Sequence, residues 1–262
     1  MQNAPAGAAD LIGIGSTSRI WRHPTRNGVV IKSPSEPQDP SQKNKFSTEA
    51  HVLQKLGQHP RIVQYLGSAE PSEPTRDLLL IESVHGDLQQ YLSSEGSSID
   101  ERLRLKWCKQ AAEALAYCHA RNVIHCDLRP DNMLINADLE LSFCDFGGSK
   151  CGEYDGEGLP DYGFFDPRSD PLGVTEATEV FGLGSSLYTI MTGHLPHGPP
   201  ILKTAQDRLD YAAKFNDLVL KGEFPDTSQI KGGDIISDCW TRKIESAQEV
   251  FSHYVELDAR PG

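Results

Sequence analysis

The chain has 262 residues, of which 38% are hydrophobic and 24% are charged. It carries 25 Lys and Arg against 37 Asp and Glu, and this net charge of −12 argues against a nucleic-acid partner held through its phosphates. No apolar run approaches membrane-spanning length, and the first residues lack the basic and apolar regions of a secretory signal. We therefore expect a globular protein without a membrane partner, in the cytoplasm or alternatively in the nucleus.

Six cysteines lie at positions 108, 118, 126, 144, 151 and 239, and no two of them form a C-x-x-C pair. The spacing therefore supports neither a zinc knuckle nor a redox motif. Without a signal sequence, the expected state is a set of reduced thiols that pack as small hydrophobic groups.

Residues 11–32 are predicted to form β-strands, because apolar and polar residues alternate toward the apolar run that ends at Lys32. The segment opens with Gly13 and Gly15, and glycines let a backbone turn tightly and approach phosphate oxygens. Taken alone, this pair indicates no more than a hairpin turn. A lysine that ends a β-branched run is likewise most often an exposed strand end.

A loop with three prolines is predicted over 33–42, and a helix over 44–56 ends at Gly57. Glu49 lies on that helix, where a glutamate on an exposed face is the ordinary interpretation. The next predicted strand covers residues 76–84.

A long amphipathic helix is predicted to begin at a capping box formed by Ser98 and Glu101 and to end near Ala120. Apolar residues recur on one face of it at helical spacing, and we interpret them as core. This stripe consists of Leu103, Trp107, Ala111, Leu115 and Cys118.

The segment 121–150 carries the most specific motifs in the chain. It holds His125, Asp127 and Asn132 in an H-x-D-x-x-x-x-N run. An apolar passage follows, and then Asp145 in the triplet D-F-G. Singly, these residues could be helix caps or turn residues. Together, two carboxylates and a carboxamide that converge across a hairpin suit phosphoryl transfer, which needs a group to orient a hydroxyl and hard oxygen ligands for Mg²⁺.

These features together resemble the eukaryotic protein kinase family, in its serine/threonine branch. The helix over 179–193 resembles the central helix of the family's large lobe, and Cys239-Trp240 resembles a pair in a later helix. The resemblance implies an α+β fold in one domain over 1–262, with a small β-rich lobe that bears one main helix and a larger helical lobe. The implied divisions are a small lobe at about 8–82, a hinge at about 82–87 and a large lobe at about 88–250.

The resemblance also implies ATP and Mg²⁺ as cofactors and a protein or peptide as the substrate. Asp127 would orient the hydroxyl that accepts the phosphoryl group, and Asn132 and Asp145 would hold Mg²⁺. Arg129 would neutralise charge on the moving phosphoryl group. Pro130 beside it favours the serine/threonine branch over the tyrosine branch.

Lys32 would contact the α- and β-phosphates and pair with Glu49. Ile81 would be the gatekeeper side chain behind the adenine, and the backbone of Glu82 and Val84 would bind the adenine edge. The residues implied to bind the nucleotide are Gly13, Gly15, Ile20, Val30, Lys32, Glu49, Ile81, Glu82, Val84 and Leu134. The residues implied to form a hydrophobic spine between the lobes are His125, Phe146, Leu53 and Tyr65.

The chain departs from the family pattern at several positions. Ser18 replaces the third glycine and Val30 replaces a small alanine, which weakens the phosphate cover or narrows the space above the adenine. Cys126 replaces the arginine that normally receives an activation-loop phosphate. We therefore expect no phosphate switch of that kind, and hypothesise that activity is constitutive or controlled by a partner.

The family's A-P-E triplet becomes Asp166-Pro167-Arg168, and the arginine that usually pairs with its glutamate becomes Ala247. Both halves of one buried ion pair are thus expected to be missing, since a lone buried charge is costly. Arg168 is predicted to meet Glu245 instead. The segment before this triplet also lacks the threonine that serine/threonine kinases place near the substrate.

Three functions are compatible with these patterns. The first is an active Ser/Thr kinase, which the presence of Lys32, Asp127, Asn132 and Asp145 favours. The second is a pseudokinase that acts as a nucleotide-binding or scaffolding module. The third is a small-molecule phosphotransferase, against which the D-F-G triplet and the helix over 179–193 argue.

Overall fold

The computed structural model describes residues 10–69, 76–96, 98–156, 158–170 and 173–259. These form a small β-rich lobe and a larger helical lobe, so the expected α+β fold is confirmed. The small lobe is built on a five-stranded antiparallel sheet in the order β1-β2-β3-β5-β4. Its strands are β1 (Leu11–Ile14), β2 (Ser18–Arg22), β3 (Val29–Pro34), β4 (Tyr65–Ser68) and β5 (Leu78–Ile81).

Strand β3 lies at the centre of this sheet, and all of its residues are buried. Val29 and Ile31 belong to a small apolar cluster on the outer face of the sheet. Because side chains alternate along a strand, Val30 and Lys32 point to the opposite face, toward the large lobe. The alternation thus places a lysine in a largely buried position.

The small lobe carries one helix, α1 (Pro40–Leu56). Asp39 caps its N-terminus, because the aspartate side chain accepts a hydrogen bond of 2.9 Å from the second residue of the helix. The prediction began this helix about one turn too late and assigned its first residues to the proline-rich loop. Pro40 occupies the first helical position, where a proline is well tolerated because no N–H is needed there.

The large lobe contains six helices and two short hairpins in the part of the chain that the structure describes. The helices are α2 (Leu88–Glu95), α3 (Glu101–His119), α4 (Glu176–Thr192), α5 (Ala205–Leu220), α6 (Gly233–Trp240) and α7 (Ala247–Ala259). The hairpins pair β6 (Met133–Ile135) with β7 (Leu141–Phe143), and β8 (Lys150–Cys151) with β9 (Tyr154–Asp155). The first hairpin is the one that the sequence predicts between Asn132 and Asp145.

Helix α3 buries the apolar stripe that its sequence displays. Four of the five stripe residues are fully buried: Trp107, Ala111, Leu115 and Cys118. Leu103, the fifth, is partly exposed and packs against the same core. The predicted cap was wrong: Asp100, not Ser98, is the N-cap, and its Oδ1 accepts a hydrogen bond of 2.7 Å from the Leu103 N–H.

Helix α4 runs through the core of the large lobe between α3 and α6. Its apolar residues Val180, Leu183, Leu187 and Ile190 have no solvent exposure. All six cysteines are free thiols, as expected. Among the described residues, no helix combines the length and the apolar character needed to cross a membrane.

Truncation of a core residue of α4 tests this assignment. We expect Leu187→Ala to lower the free energy of unfolding by about 2–5 kcal/mol, because it removes packed atoms and leaves a cavity. Leu209→Ala on α5 is the control, since Leu209 is 56% exposed and its loss should cost less than about 0.5 kcal/mol. Chemical denaturation measures both, and equal effects would contradict the placement of α4 in the core.

Candidate active site

A cleft of about 1170 Å³ lies between the sheet of the small lobe and the loops and hairpin of the large lobe. It brings together nearly all of the predicted site residues. Those that line it are Gly13, Gly15, Ile20, Val30, Lys32, Glu49, Ile81, Glu82, Asp127, Arg129, Asn132, Leu134 and Asp145. Val84 lies outside this lining and is 59% exposed, so its place in the predicted set is not supported.

The amine of Lys32 joins the two lobes. Its Nζ lies 2.6 Å from Glu49 Oε2 on α1 and 2.8 Å from Asp145 Oδ1 in the large lobe. Lys32 and Glu49 are buried, whereas the side chain of Asp145 is half exposed to the cleft. The predicted pair of Lys32 with Glu49 is present, and the amine also contacts Asp145, which the sequence did not predict.

The short distances between Lys32, Glu49 and Asp145 determine their pKa values. Burial alone would lower the pKa of the Lys32 amine, but the charges of Asp145 and Glu49 outweigh it and raise the pKa above its ordinary value. The Lys32 charge lowers the pKa of Asp145, which therefore stays ionised. Burial raises the pKa of Glu49, whose Oε1 is buried without a hydrogen-bond partner among the described residues.

Residues of α3 and α4 contact the loop that carries Asp127 and hold it in place. Glu179 Oε1 accepts a hydrogen bond of 2.7 Å from the Cys126 N–H, and its Oε2 lies 2.9 Å from Nε2 of His119. Cys126 has a φ of 66°, a left-handed conformation that is strained for a side chain with a Cβ. Sequence patterns assigned no role to the Glu179 or His119 side chain, because contacts between residues 53 and 60 positions apart leave no local pattern.

Asp127 and Asn132 face each other across the start of a short 3-10 helix, Pro130–Asn132. The Asn132 Nδ2 group donates to the backbone carbonyl of Asp127 at 2.7 Å and to its Oδ2 at 2.9 Å. Burial raises the pKa of Asp127, although Arg129, His125 and the Asn132 hydrogen bond all act to lower it. The carboxylate is thus oriented by its neighbours and is more basic than an exposed aspartate.

Arg129 is already engaged by two carboxylates. Its Nε donates to Asp131 Oδ2 at 3.0 Å, and its Nη1 forms an ion pair with Oδ2 of Asp161. Burial would lower the pKa of Arg129, but Asp131 and Asp161 raise it. The predicted contact of Arg129 with a phosphoryl group therefore competes with these two partners.

The gatekeeper position differs from the prediction. In the β3–β5 register Val30 lies opposite Leu80, and Val29 lies opposite Ile81. Successive side chains along a strand point to opposite faces of the sheet, and residues directly opposite each other share a face. Leu80 therefore lies on the cleft face with Val30, and it is 5% exposed. Ile81 faces outward with Val29 and is 37% exposed, although it borders the cleft at its edge. Leu80, and not the predicted Ile81, is therefore the β5 side chain that faces the cleft beside Val30.

Comparison with known proteins identifies the family behind this geometry. A family model of the protein kinase domain matches residues 8–254. The chain belongs to the protein kinase family. The resemblance inferred from the motifs is confirmed.

Several curated serine/threonine kinases are similar to this chain over part of their length. Serine/threonine-protein kinase SIK2 of Gallus gallus is 30% identical over 203 residues, which are 73% of this chain and 24% of that protein. Serine/threonine-protein kinase D3 of Homo sapiens is 29% identical over 202 residues, 72% of this chain and 22% of that kinase. Serine/threonine-protein kinase dkf-2 of Caenorhabditis briggsae is 28% identical over 166 residues, 60% of this chain and 14% of that kinase. The chain thus spans about a quarter or less of the length of these relatives.

The expected spine residues of this kinase domain lie together. The His125 ring is 4.8 Å from the ring of Phe146, and its Nε2 lies 2.9 Å from the carbonyl oxygen of Cys144. Phe146 and Leu53 belong to one buried cluster, against which Tyr65 packs. His125 is completely buried and serves here as a structural residue beside the D-F-G turn.

The substitute for the A-P-E triplet forms an ion pair of a different kind. Asp166 is completely buried and accepts hydrogen bonds from Arg168 at 2.8 and 2.9 Å and from Arg242 at 2.6 and 2.8 Å. The predicted contact between Arg168 and Glu245 was therefore wrong. Both partners of the family's usual pair are absent, as the sequence indicates, and a different buried pair is present, because Asp166 supplies the acid from the first position of the triplet and Arg242 reaches it from the end of α6.

The donor set in the cleft fits a divalent cation held through a nucleotide. No cluster of three or more His, Cys, Asp or Glu that could hold a metal occurs among the described residues. Mg²⁺ is typically bound by one or two carboxylates together with phosphates and water. Oδ2 of Asp145 and the amide oxygen of Asn132 accept no hydrogen bond from the described residues, and both residues line the cleft, so they fit such a site.

The buried Asp166 makes the stability of the protein depend on pH. Burial would raise its pKa, but hydrogen bonds from Arg168 and Arg242 lower it below the pKa of an ordinary exposed aspartate. The ionised form therefore stabilises the folded state above that value, and the stabilisation is lost as the pH falls through the lowered pKa. Asp166→Asn should cost about 1–3 kcal/mol near neutral pH, and its difference from wild type should shrink on acidification.

Denaturant titrations at a series of pH values from about 7 to about 3 measure this difference. Asp217→Asn is the matched control, because Asp217 forms an exposed pair with Lys221 and its loss should change stability little at any pH. A difference between Asp166→Asn and wild type that stays constant with pH would contradict the role of the ionised Asp166.

Proposed function

We propose that this domain catalyses ATP- and Mg²⁺-dependent phosphoryl transfer to serine or threonine residues of protein substrates. The observation that carries the proposal is the convergence of Lys32, Glu49, Asp145, Asp127 and Asn132 on one cleft. Phosphoryl transfer depends mainly on positioning and on electrostatic stabilisation, and this set supplies both. The serine/threonine relatives support the choice of acceptor.

The nucleotide would enter between the two lobes with its base against apolar side chains. Ile20, Val30 and Leu80 come from the small lobe, and Leu134 comes from the first hairpin of the large lobe. The glycines of β1 would lie over the phosphates, and Lys32 would contact them while Glu49 holds its amine in place. Ile81, Glu82 and Ser83 line the cavity, and their backbone groups would bind the adenine edge in place of the predicted Glu82 and Val84.

The charge of the cleft supports the need for a cation. Its acidic lining residues are Glu49, Glu82, Asp87, Asp127, Asp131, Asp145 and Asp161, and its basic ones are Lys32, Arg129 and Arg208. A triphosphate would be repelled by this excess of carboxylates. Bound Mg²⁺ would supply the missing positive charge beside the phosphates, with Asn132 and Asp145 as its ligands.

Asp127 would act on the acceptor hydroxyl. The hydrogen bond from Asn132 fixes one oxygen of this carboxylate, and burial raises its pKa. The carboxylate can thus orient a serine or threonine hydroxyl and accept its proton as the phosphoryl group moves. Arg129, two residues on, would offset charge on the transferred group.

The alternative is a pseudokinase, a kinase-shaped module that binds nucleotide or partners without catalysis. Two ion-paired groups support it. Arg129 already pairs with Asp131 and Asp161, and the Lys32 amine pairs with Asp145, so neither cation is free to contact a phosphate. A protein or peptide partner and a cytoplasmic location remain part of the proposal for both functions. A small-molecule phosphotransferase is not supported by the match to the protein kinase domain.

Transfer from radiolabelled MgATP to an array of Ser- and Thr-containing peptides tests the proposal. We expect the wild type to label peptides, and Asp127→Asn to lose at least about 100-fold in rate while it still binds MgATP, because only the acceptor side is changed. Asp145→Asn should weaken MgATP binding by about tenfold or more in a thermal-shift titration, because a metal ligand is lost.

Asp138→Asn is the control, since Asp138 lies in the exposed turn of the β6–β7 hairpin, away from the cleft. MgATP binding without any transfer by the wild type would favour the pseudokinase. Equal transfer by wild type and Asp127→Asn would contradict the role of Asp127.

A further inference from the structure

The contact between Arg129 and Asp161 joins two distant parts of the chain at the cleft. Arg129 follows Asp127 by two residues, and Asp161 lies 32 residues further on, in the segment before Asp166. Both side chains are partly buried, at 23% and 31% exposure, and both residues line the cleft. The pair is therefore neither a surface contact nor part of the buried core.

Asp161 is held in position from its own segment. Its Oδ1 accepts a hydrogen bond of 2.8 Å from the Tyr162 N–H, and its backbone carbonyl accepts one of 3.1 Å from the Phe164 N–H. Its Oδ2 is left to face the Nη1 of Arg129. The carboxylate is thus fixed by a turn, with one oxygen presented to the guanidinium.

The other groups around Arg129 are also acidic. Asp131 accepts from its Nε, and the charge of Arg129 acts on both Asp127 and Asp87. Asp131 lies in the 3-10 helix Pro130–Asn132, which directly follows Arg129, so Asp131 and Arg129 move together. Asp161 comes from a separate segment, which makes its contact the one that can break while the catalytic loop stays in place.

We propose that Asp161 is an internal competitor for Arg129, so that its carboxylate holds the guanidinium that would otherwise meet the terminal phosphate of the nucleotide. This inference rests on the proposed kinase function. It makes Asp161 a positioning residue that reduces the preference of the cleft for a triphosphate over a diphosphate. Movement of the segment around Asp161, for instance when a peptide binds there, would release Arg129 to the phosphate.

The reasoning is electrostatic. A guanidinium forms its strongest hydrogen bonds with carboxylates and phosphates, and each donor serves one acceptor at a time. While Nη1 faces Asp161, a phosphate at the same place would have to displace a carboxylate and would also feel its negative charge. Removal of that charge should therefore favour the ligand with the additional phosphate, whereas a ligand that ends at the β-phosphate should be affected less.

Calorimetric titration with MgATP and with MgADP tests the proposal, with Asp161→Asn as the variant. The amide keeps an oxygen for the Tyr162 N–H, and it removes both the charge and the second oxygen that faces Arg129. We expect the ratio of the MgADP dissociation constant to the MgATP dissociation constant to rise about threefold or more. This is the size of effect expected when a partly exposed ion pair that competes with the phosphate is removed. In the Arg129→Gln background the same change should raise this ratio less, because only the direct repulsion between Asp161 and the phosphate is then removed.

Glu153→Gln is the matched control, because it removes one exposed charge from the same region without a contact to Arg129. It should leave the ratio as in the wild type. An unchanged or lowered ratio for Asp161→Asn would overturn the proposal even if the protein transfers phosphate normally. A raised ratio without any peptide labelling would support the competition and at the same time contradict the catalytic function. Failure of every variant and of the wild type to bind either nucleotide would overturn both.

Discussion

The buried amine of Lys32 is the constraint on which the arrangement of the cleft depends. It is shared by a carboxylate of each lobe, Glu49 from α1 and Asp145 from the D-F-G turn. A single cation between two acids fixes how closely strand β3, helix α1 and the large lobe approach one another. Loss of the amine would leave the buried Glu49 without a counter-charge, which is much costlier than the loss of an exposed pair. The geometry of the proposed nucleotide site therefore depends on the contact that holds the lobes together.

The parts of the fold that the sequence predicted well are those with short-range patterns. The stripe on α3 has helical spacing, and its members Trp107 and Leu115 are fully buried. The H-x-D-x-x-x-x-N run and the D-F-G triplet have fixed local spacing, and a two-stranded hairpin between them brings Asn132 and Asp145 to one cleft. Such patterns depend on neighbours within a few residues, and a single sequence contains that information.

The parts that the sequence could not predict depend on register or on distant contacts. Whether Leu80 or Ile81 faces the cleft is decided by the pairing of β5 with β3, and a shift of one residue exchanges the two faces. Arg242 and Asp166 are 76 residues apart in the sequence, so the residues of the triplet alone could not predict the ion pair between them. Glu179 was noticed only as part of a helix, although it accepts a hydrogen bond from the loop that carries Asp127.

The two branched side chains at the back of the cleft have a consequence for selective chemistry. Val30 and Leu80 face each other on neighbouring strands, where the family pattern has a small alanine in place of Val30. In the proposed nucleotide site this wall would exclude purine analogues that carry a bulky substituent at the inner edge of the ring. Shortening Leu80 would open a notch for such an analogue, and an inhibitor enlarged to match it would distinguish the altered chain from ordinary kinases in a crude extract.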